Sequence, residues 1–172
     1  VGMIVDEFHR HDPEQTQVVV DADGIGAGVV DRLREIGLPV LAFHGGLRPR
    51  YRPRSGVSDR RRERYFNARS EAWHLLAEAL RLDEISLRPD KMTRSQLTGL
   101  TYAFTSDGLI KLERKEDLKK RLPHLGSPDR ADALVMAWWL YTGWELPVPE
   151  KVKRKRKTWI DEASEIMGGD RA

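Results

Sequence analysis

The chain has 172 residues with a net charge of +3, and 40% of its residues are hydrophobic, which suits one compact α/β domain with its own core. Cysteine is absent, so disulfides, thiolate metal sites and cysteine nucleophiles are excluded, and any metal must be bound by carboxylates or by the five histidines. No stretch approaches the roughly 20 apolar residues that cross a bilayer, and we expect a cytosolic protein.

The first part of the chain predicts a short helix followed by a β-α-β unit. Residues 1–11 have the apolar spacing of an amphipathic helix. Residues 18–20 are three valines, typical of a buried strand, and the strand ends at Asp21. A glycine-rich turn then leads into a helix that stops at Gly37, and residues 38–43 form the next strand. A right-handed crossover and a parallel strand pair follow from this order.

Residues 44–62 combine glycines and prolines with many arginines, which predicts a long basic loop. Such clusters attract phosphate backbones through charge and counterion release, although a solvated loop without a partner is the alternative. The arginines that we expect to contact DNA are Arg48, Arg50, Arg52, Arg54, Arg60 and Arg61. A second basic run follows a proline-containing linker, so we divide the chain into a domain over residues 1–145 and a basic tail over residues 146–172.

The second half of the domain predicts a helix, a hairpin and a final helix. Residues 65–82 have the apolar spacing of an amphipathic helix that covers one face of the sheet. Residues 98–104 and 109–112 flank an Asp-Gly pair and predict a β-hairpin. Ser127 and Pro128 are suited to the N-cap and first position of the final helix, which is apolar nearly all round and is expected to be buried.

Carboxylates at a strand end and on a buried helix are the sharpest chemical feature. Asp21 ends its strand, while Asp129 and Asp132 lie in the first turns of the final helix. An ionised carboxylate near a dry core is costly unless a cation or hydrogen bonds compensate it. One interpretation is a site for divalent cations that promote attack of water on a phosphodiester. The alternative is that the helix dipole favours Asp129 and Asp132 and that Asp21 is a turn residue.

The glycines after the first strand invite a different interpretation, a dinucleotide-binding turn. The G-x-G-x-x-G pattern requires glycine at the position of Val29, and Asp21 would place negative charge beside a pyrophosphate. The sequence also contains no G-x-x-x-x-G-K-S/T phosphate loop, so it carries no ATPase site of that kind. His44, His74 and His124 lack metal-like spacing and are interpreted as surface or packing histidines.

Four segments, in order along residues 1–139, resemble the nuclease domain of phage terminase large subunits. They are VVVDADGIGAG at residues 18–28, the N-x-R-x-E-x-W stretch at residues 67–73, the hairpin and lysine-rich segment at residues 96–121, and SPDRADAL at residues 127–134. The resemblance implies an α/β fold of the RNase H-like (RuvC/terminase) type, with a mixed sheet flanked by helices. The family has a further aspartate on an upstream strand, so we expect the domain to lack its first strands.

The same resemblance implies which residues act. Asp21 and Asp132 correspond to catalytic metal ligands, Asp129 to an accessory ligand, and Asp23 is a weaker candidate. Mg²⁺ or Mn²⁺ is the implied cofactor, in a two-metal site in the complete domain. Lys115 and Lys119 of the lysine-rich segment join the arginine loop as expected DNA-binding residues.

The implied function is metal-dependent cleavage of double-stranded DNA during viral genome packaging, in the cytoplasm of the infected bacterial host. The implied partners are double-stranded DNA, the terminase motor (ATPase) domain, the small terminase subunit and the portal, with no membrane involved. Two alternatives remain open. One is a non-catalytic DNA-binding or motor-docking module, and the other is a resolvase-like nuclease of the same superfamily that acts on branched DNA.

Overall fold

The computed structural model describes residues 1–49, 64–88 and 90–143. The predicted tail and five of the predicted DNA-binding arginines, Arg50, Arg52, Arg54, Arg60 and Arg61, lie outside these ranges. None of the helices within them is long and apolar enough to span a membrane. The elements in chain order are α1 (Gly2–His9), β1 (Val18–Asp21), α2 (Gly26–Glu35), β2 (Val40–Phe43), α3 (Ala68–Arg81), α4 (Lys91–Gly99), β3 (Tyr102–Phe104), β4 (Ile110–Leu112), α5 (Lys115–Arg121) and α6 (Asp129–Gly143).

The predicted β-α-β unit is confirmed. Strands β1 and β2 pair in parallel, with Val18 opposite Val40 and Asp21 opposite Phe43. Helix α2 connects them and buries Leu33 completely in a small core that also contains Phe8 of α1. Burial of these apolar side chains is the main stabilising contribution to the unit. The C-terminal end of β1 therefore places the Asp21 carboxylate at the edge of the parallel pair.

Helix α3 begins three residues later than the sequence pattern predicts. The side chain of Asn67 accepts a hydrogen bond from the backbone N–H of Ser70 at 2.9 Å, so Asn67 caps the helix. Tyr65 instead forms an isolated β-bridge with Ile110. The helix packs against α6, and its Trp73 joins the larger of the two cores.

Helix α6 is buried on one side only, so the expectation that it is buried all round is wrong. Ala131 and Val135 are buried, whereas Ala133 and Tyr141 are exposed. Helices α3 and α4 and strand β1 contact α6, and they cover one face of it. Two exposed alanines, Ala133 and Ala137, contributed to the apolar appearance of the helix in the sequence.

The predicted hairpin is confirmed, but its first strand is shorter than expected. Strands β3 and β4 pair antiparallel around Gly108, which has φ 75°. Thr98, assigned to the strand from the sequence, belongs to α4, a helix that the sequence analysis missed. Asp90 caps α4, and the buried side chain of Gln96 donates a hydrogen bond to the carbonyl of Ser127 at 2.9 Å. This contact ties α4 to the residues that precede α6.

Candidate active site

A cleft of about 320 Å³ lies where the C-terminal end of β1 meets the first turns of α6. Its lining combines negative and positive side chains from four separate parts of the chain. The charged and hydrogen-bonding side chains that the following paragraphs describe are those of Asp21, Asp23, Arg69, Trp73, Lys115 and Asp132.

Asp21 reaches the cleft because it is the last residue of β1. The backbone N–H of Ala22 donates to the carbonyl of Phe43 at 2.8 Å, which continues the parallel pairing beyond the strand. The chain then turns, and the N–H of Asp23 donates to Oδ1 of Asp21 at 3.1 Å. The Asp21 side chain is 41% exposed, and its other oxygen, Oδ2, lies 3.8 Å from Nζ of Lys115.

Asp132 is the buried carboxylate of the site, with a side chain that is 11% exposed. The indole Nε1 of Trp73 donates a hydrogen bond to Oδ1 at 3.0 Å, and Nε of Arg69 lies 3.8 Å from the same oxygen. Oδ2 makes no hydrogen bond of regular geometry and forms an ion pair with Lys115. The two oxygens of Asp132 therefore have different surroundings.

Lys115 lies between the two carboxylates. Its Nζ is 2.8 Å from Oδ2 of Asp132 and 3.8 Å from Oδ2 of Asp21. The structure places Lys115 in the lining of the cleft, and its assignment as a DNA-binding residue stays a prediction. Lys119 and Arg48, which were assigned the same role, are exposed and lie outside the cleft lining. The cleft thus holds one ammonium group that neutralises part of its negative charge.

Arg69 adds a second cation on the buried side of the cleft. Its Nη1 donates to the carbonyl of Glu113 at 2.8 Å, while its Nε and Nη2 are buried and make no hydrogen bond. Burial lowers the pKa of the Arg69 guanidinium, and the nearby negative charge of Asp132 opposes that shift. Arginine remains charged at neutral pH even so. Buried N–H groups without an acceptor leave Arg69 with donor capacity for an anion.

Asp23 borders the cleft but faces a different partner. Its Oδ2 accepts a hydrogen bond from the N–H of Gly45 at 3.1 Å, and its Oδ1 lies 3.3 Å from Nδ1 of His44. Asp129, assigned as an accessory ligand, is exposed, accepts a hydrogen bond from the hydroxyl of Ser127 and does not line the cleft. The structure therefore brings together Asp21 and Asp132 and leaves Asp129 apart.

Sequence reasoning did not identify Arg69 and Trp73 as site residues. Both belong to the N-x-R-x-E-x-W stretch, and their separation of four residues places them on one face of a helix. That spacing was the available signal. It could not show which element the face contacts, since Trp73 and Asp132 are 59 residues apart in the chain.

The donor set suits a hard divalent cation. Carboxylate oxygens are the ligands that Mg²⁺ and Mn²⁺ prefer, and Oδ2 of Asp132 is a buried oxygen that faces the cleft. Within the described part of the chain, no group of three or more histidine, aspartate or glutamate side chains is placed to share a metal. Among the described residues, Asp21 and Asp132 are therefore the pair of carboxylates that could hold a divalent cation.

No protein-family model matches the chain, and no curated protein matches it. Among solved structures it is similar to the nuclease domain of the large terminase subunit gp2 of bacterial virus Sf6, with a TM-score of 0.54 and 23% identity over 70% of this chain and 63% of that chain. A K428A mutant of that domain with manganese gives a TM-score of 0.55 and 24% identity, over 70% of this chain and 64% of that chain. A K428A mutant with calcium gives a TM-score of 0.55 at 23% identity, over 70% and 63% of the two chains.

At this identity the likeness shows the fold, and the chain spans less than two thirds of the nuclease domain that it matches. The predicted fold class is confirmed, namely an α/β fold of the RNase H-like type found in terminase nuclease domains. The predicted resemblance to terminase nuclease domains is confirmed for the fold.

Proposed function

We propose that this chain is a divalent-metal-dependent endonuclease that cleaves double-stranded DNA during viral genome packaging. One observation carries the proposal. Asp21 at the end of β1 and Asp132 in the first turns of α6 converge on a single cleft, in the fold of a terminase nuclease domain whose solved structures include manganese and calcium forms. Mg²⁺ or Mn²⁺ is the proposed cofactor.

The charged residues of the cleft have different proposed roles in phosphodiester hydrolysis. Asp21 and Asp132 would hold the cation through their Oδ2 atoms, both of which contact the same Lys115 ammonium. When bound, the cation supplies activation of the attacking water and neutralises charge on the phosphate. Arg69 lines the cleft, and its positive charge can stabilise the additional negative charge of the transition state. Lys115 offsets the carboxylate charges before the cation enters.

Double-stranded DNA is the proposed substrate because many arginines follow the cleft-lining residues Gly45 and Gly46 in the sequence. The arginine loop begins at Arg48, directly after the Gly45 and Gly46 backbone that lines the cleft. The hairpin exposes the aromatic side chains of Tyr102 and Phe104. Phosphate contacts from such a loop supply affinity without sequence preference. The motor domain, the small terminase subunit and the portal are proposed partners, with the host cytoplasm as the place of action.

A non-catalytic DNA-binding module is the second candidate, and two observations favour it. Lys115 already forms ion pairs with both carboxylates, and within the described residues the third carboxylate of the cleft, Asp23, contacts Gly45 and His44 and is not grouped with the other two to share a metal. A domain of this kind would bind DNA through its arginines without cutting it. The two candidates differ in a single readout, which is whether Mn²⁺ supports cleavage.

Plasmid cleavage by aspartate variants tests the proposal. In Mn²⁺ buffer we expect Asp21→Asn and Asp132→Asn to abolish cleavage, since each loses a ligand charge, while circular dichroism shows an unchanged fold. Asp129→Asn is the matched control and should retain most of the activity, because Asp129 lies outside the cleft lining. Wild-type rates in the first two variants would disprove the site, and DNA binding without cleavage by the wild type would favour the non-catalytic module.

A further inference from the structure

The two oxygens of Asp132 are distinguished by helix α3. Oδ1 is held by the indole of Trp73 at 3.0 Å, with Nε of Arg69 at 3.8 Å, whereas Oδ2 faces the cleft and Lys115. The Trp73 side chain is buried, so water does not compete with the indole for Oδ1. A carboxylate with one oxygen fixed in this way presents the other in a single direction.

Hydrogen bonds hold the first turn of helix α3, which precedes Trp73, in a fixed position. Its N-terminus is capped by Asn67, which accepts hydrogen bonds from both the N–H and the hydroxyl of Ser70 at 2.9 and 2.8 Å. The Ser70 hydroxyl oxygen in turn accepts from the N–H of Leu112 at 3.0 Å, and Arg69 donates to the carbonyl of Glu113. These bonds join the first turn of α3 to strand β4 and the residue after it. The indole one turn further along is thereby held in place relative to α6.

We propose that Trp73 is a positioning residue for the metal ligand Asp132. The proposal rests on the proposed function, because it concerns the same carboxylate in the same cleft. The indole N–H fixes Oδ1 and orients Oδ2 toward the cation site, as outer groups that hydrogen-bond a ligand do in metal proteins generally. In this role Trp73 acts through Asp132.

Tryptophan suits this role because its donor is uncharged and does not titrate. A lysine or arginine at the same oxygen would neutralise the carboxylate and weaken its attraction for a cation. The indole N–H donates only and cannot act as a competing ligand. Trp73 therefore orients Asp132 without adding to the positive charge that Arg69 and Lys115 already place beside this carboxylate.

A tryptophan elsewhere in the fold offers a matched control. Trp138 of α6 donates from its Nε1 to the carbonyl of Leu75 at 3.2 Å, so Trp138→Phe also removes one indole hydrogen bond from the interface of α3 and α6. Trp73→Phe keeps an aromatic ring in the core but removes the indole N–H together with part of the ring volume, and Trp138→Phe makes the same change in volume. Both variants should lower the melting temperature, which reports the structural contribution of each bond.

Mn²⁺ binding to the full chain, measured by calorimetry, separates positioning from packing. We expect Trp73→Phe to weaken Mn²⁺ binding by about tenfold or more, the range seen for such outer groups, while Trp138→Phe binds as the wild type does. In a ¹⁵N spectrum, the indole resonance that is lost in Trp73→Phe should shift on Mg²⁺ addition to the wild type and should stay fixed in Asp132→Asn.

Each result decides the question. Equal Mn²⁺ affinity in the wild type and Trp73→Phe would overturn the positioning role and leave the proposed nuclease intact. Equal weakening in both tryptophan variants would reduce Trp73 to a packing residue. A wild-type chain that binds no Mn²⁺ would overturn the proposed metal site together with this inference.

Discussion

Nζ of Lys115 lies 2.8 Å from Oδ2 of Asp132, the oxygen that the proposed function assigns to the metal. The same nitrogen is 3.8 Å from Oδ2 of Asp21. A divalent cation and this ammonium group therefore compete for the same two oxygens. Binding of the cation requires Lys115 to move away or to give up its ion pairs.

Removing this competitor should tighten metal binding. We expect Lys115→Ala to raise Mn²⁺ affinity by about fivefold, equivalent to about 1 kcal/mol, the upper end of the range for a partly exposed ion pair. Calorimetry with Mn²⁺ measures it, and Lys119→Ala, an exposed position on the same helix, is the control. An unchanged or reduced affinity in Lys115→Ala would show that the ammonium group does not occupy the cation position.

The cap of α4 should make stability depend on pH. The hydroxyl of Thr93 donates a hydrogen bond to the Asp90 carboxylate and has the largest effect on its pKa, and the backbone N–H of Thr93 has the next largest. Together with smaller effects, these hydrogen bonds lower the pKa of Asp90 to about 2. Since the folded pKa lies below the ordinary value of about 3.9, the ionised carboxylate stabilises the fold above that value, and the effect is lost as pH falls toward the folded pKa.

Thermal melts of two Asp90 variants test this dependence. Asp90→Ala should lower the melting temperature at neutral pH, and the difference from the wild type should shrink below about pH 4. Asp90→Asn keeps an acceptor for the N–H groups of Met92 and Thr93 and should lose less. A difference between the wild type and Asp90→Ala that is the same at pH 7 and at the lowest pH would exclude a contribution from the charge.

The turn after β1 leaves no room for a side chain at Gly26. A Cβ there would overlap the backbone carbonyl of Asp21, whereas a Cβ at Gly28 on the same helix meets nothing within 4 Å. We expect Gly26→Ala to destabilise the fold by about 1–3 kcal/mol, as overpacking does, and to weaken Mn²⁺ binding because Asp21 must shift.

Gly28→Ala is the matched control for that change. Alanine favours a helix interior over glycine by about 0.5–1 kcal/mol, so this variant should be as stable as the wild type or more so. Urea unfolding and Mn²⁺ calorimetry on both variants give the comparison. If Gly26→Ala and Gly28→Ala have the same stability toward urea and the same Mn²⁺ affinity, the close approach of Gly26 to Asp21 contributes to neither stability nor metal binding.

Local patterns were sufficient to predict most of the helices and strands and one half of the site. The valines before Asp21 and the apolar residues after Asp132 marked both carboxylates as close to the core. Helix α4 was not predicted from the sequence because its buried face carries Thr93 and Gln96, whose burial depends on hydrogen bonds with other segments. A helix that buries polar residues lacks the helical spacing of apolar residues from which the other helices were predicted.

The remainder of the site depends on contacts between distant segments. Lys115 belonged to a lysine-rich run whose usual interpretation is a solvated or DNA-binding surface, and nothing local showed that it pairs with Asp21 and Asp132. The spacing of Trp73 in its helix is typical of a core residue, and Trp73 does belong to the core. Its hydrogen bond to Asp132 depends on how α3 packs against α6. Side-chain direction across two helices is set by tertiary packing and cannot be read from spacing alone.

The pairing of a strand near the beginning of the described chain with a helix near its end has a consequence for the order of folding. Asp21 and Asp132 meet only when α6 packs against β1, a contact that encloses nearly all of the described chain in one loop. Closing a loop of that length is entropically costly, and structures rich in such contacts fold slowly. The local hairpin and α2 can form without this closure. The cleft is therefore expected to assemble last on the refolding pathway, so partly folded chains would hold their helices before they acquire a place for the metal.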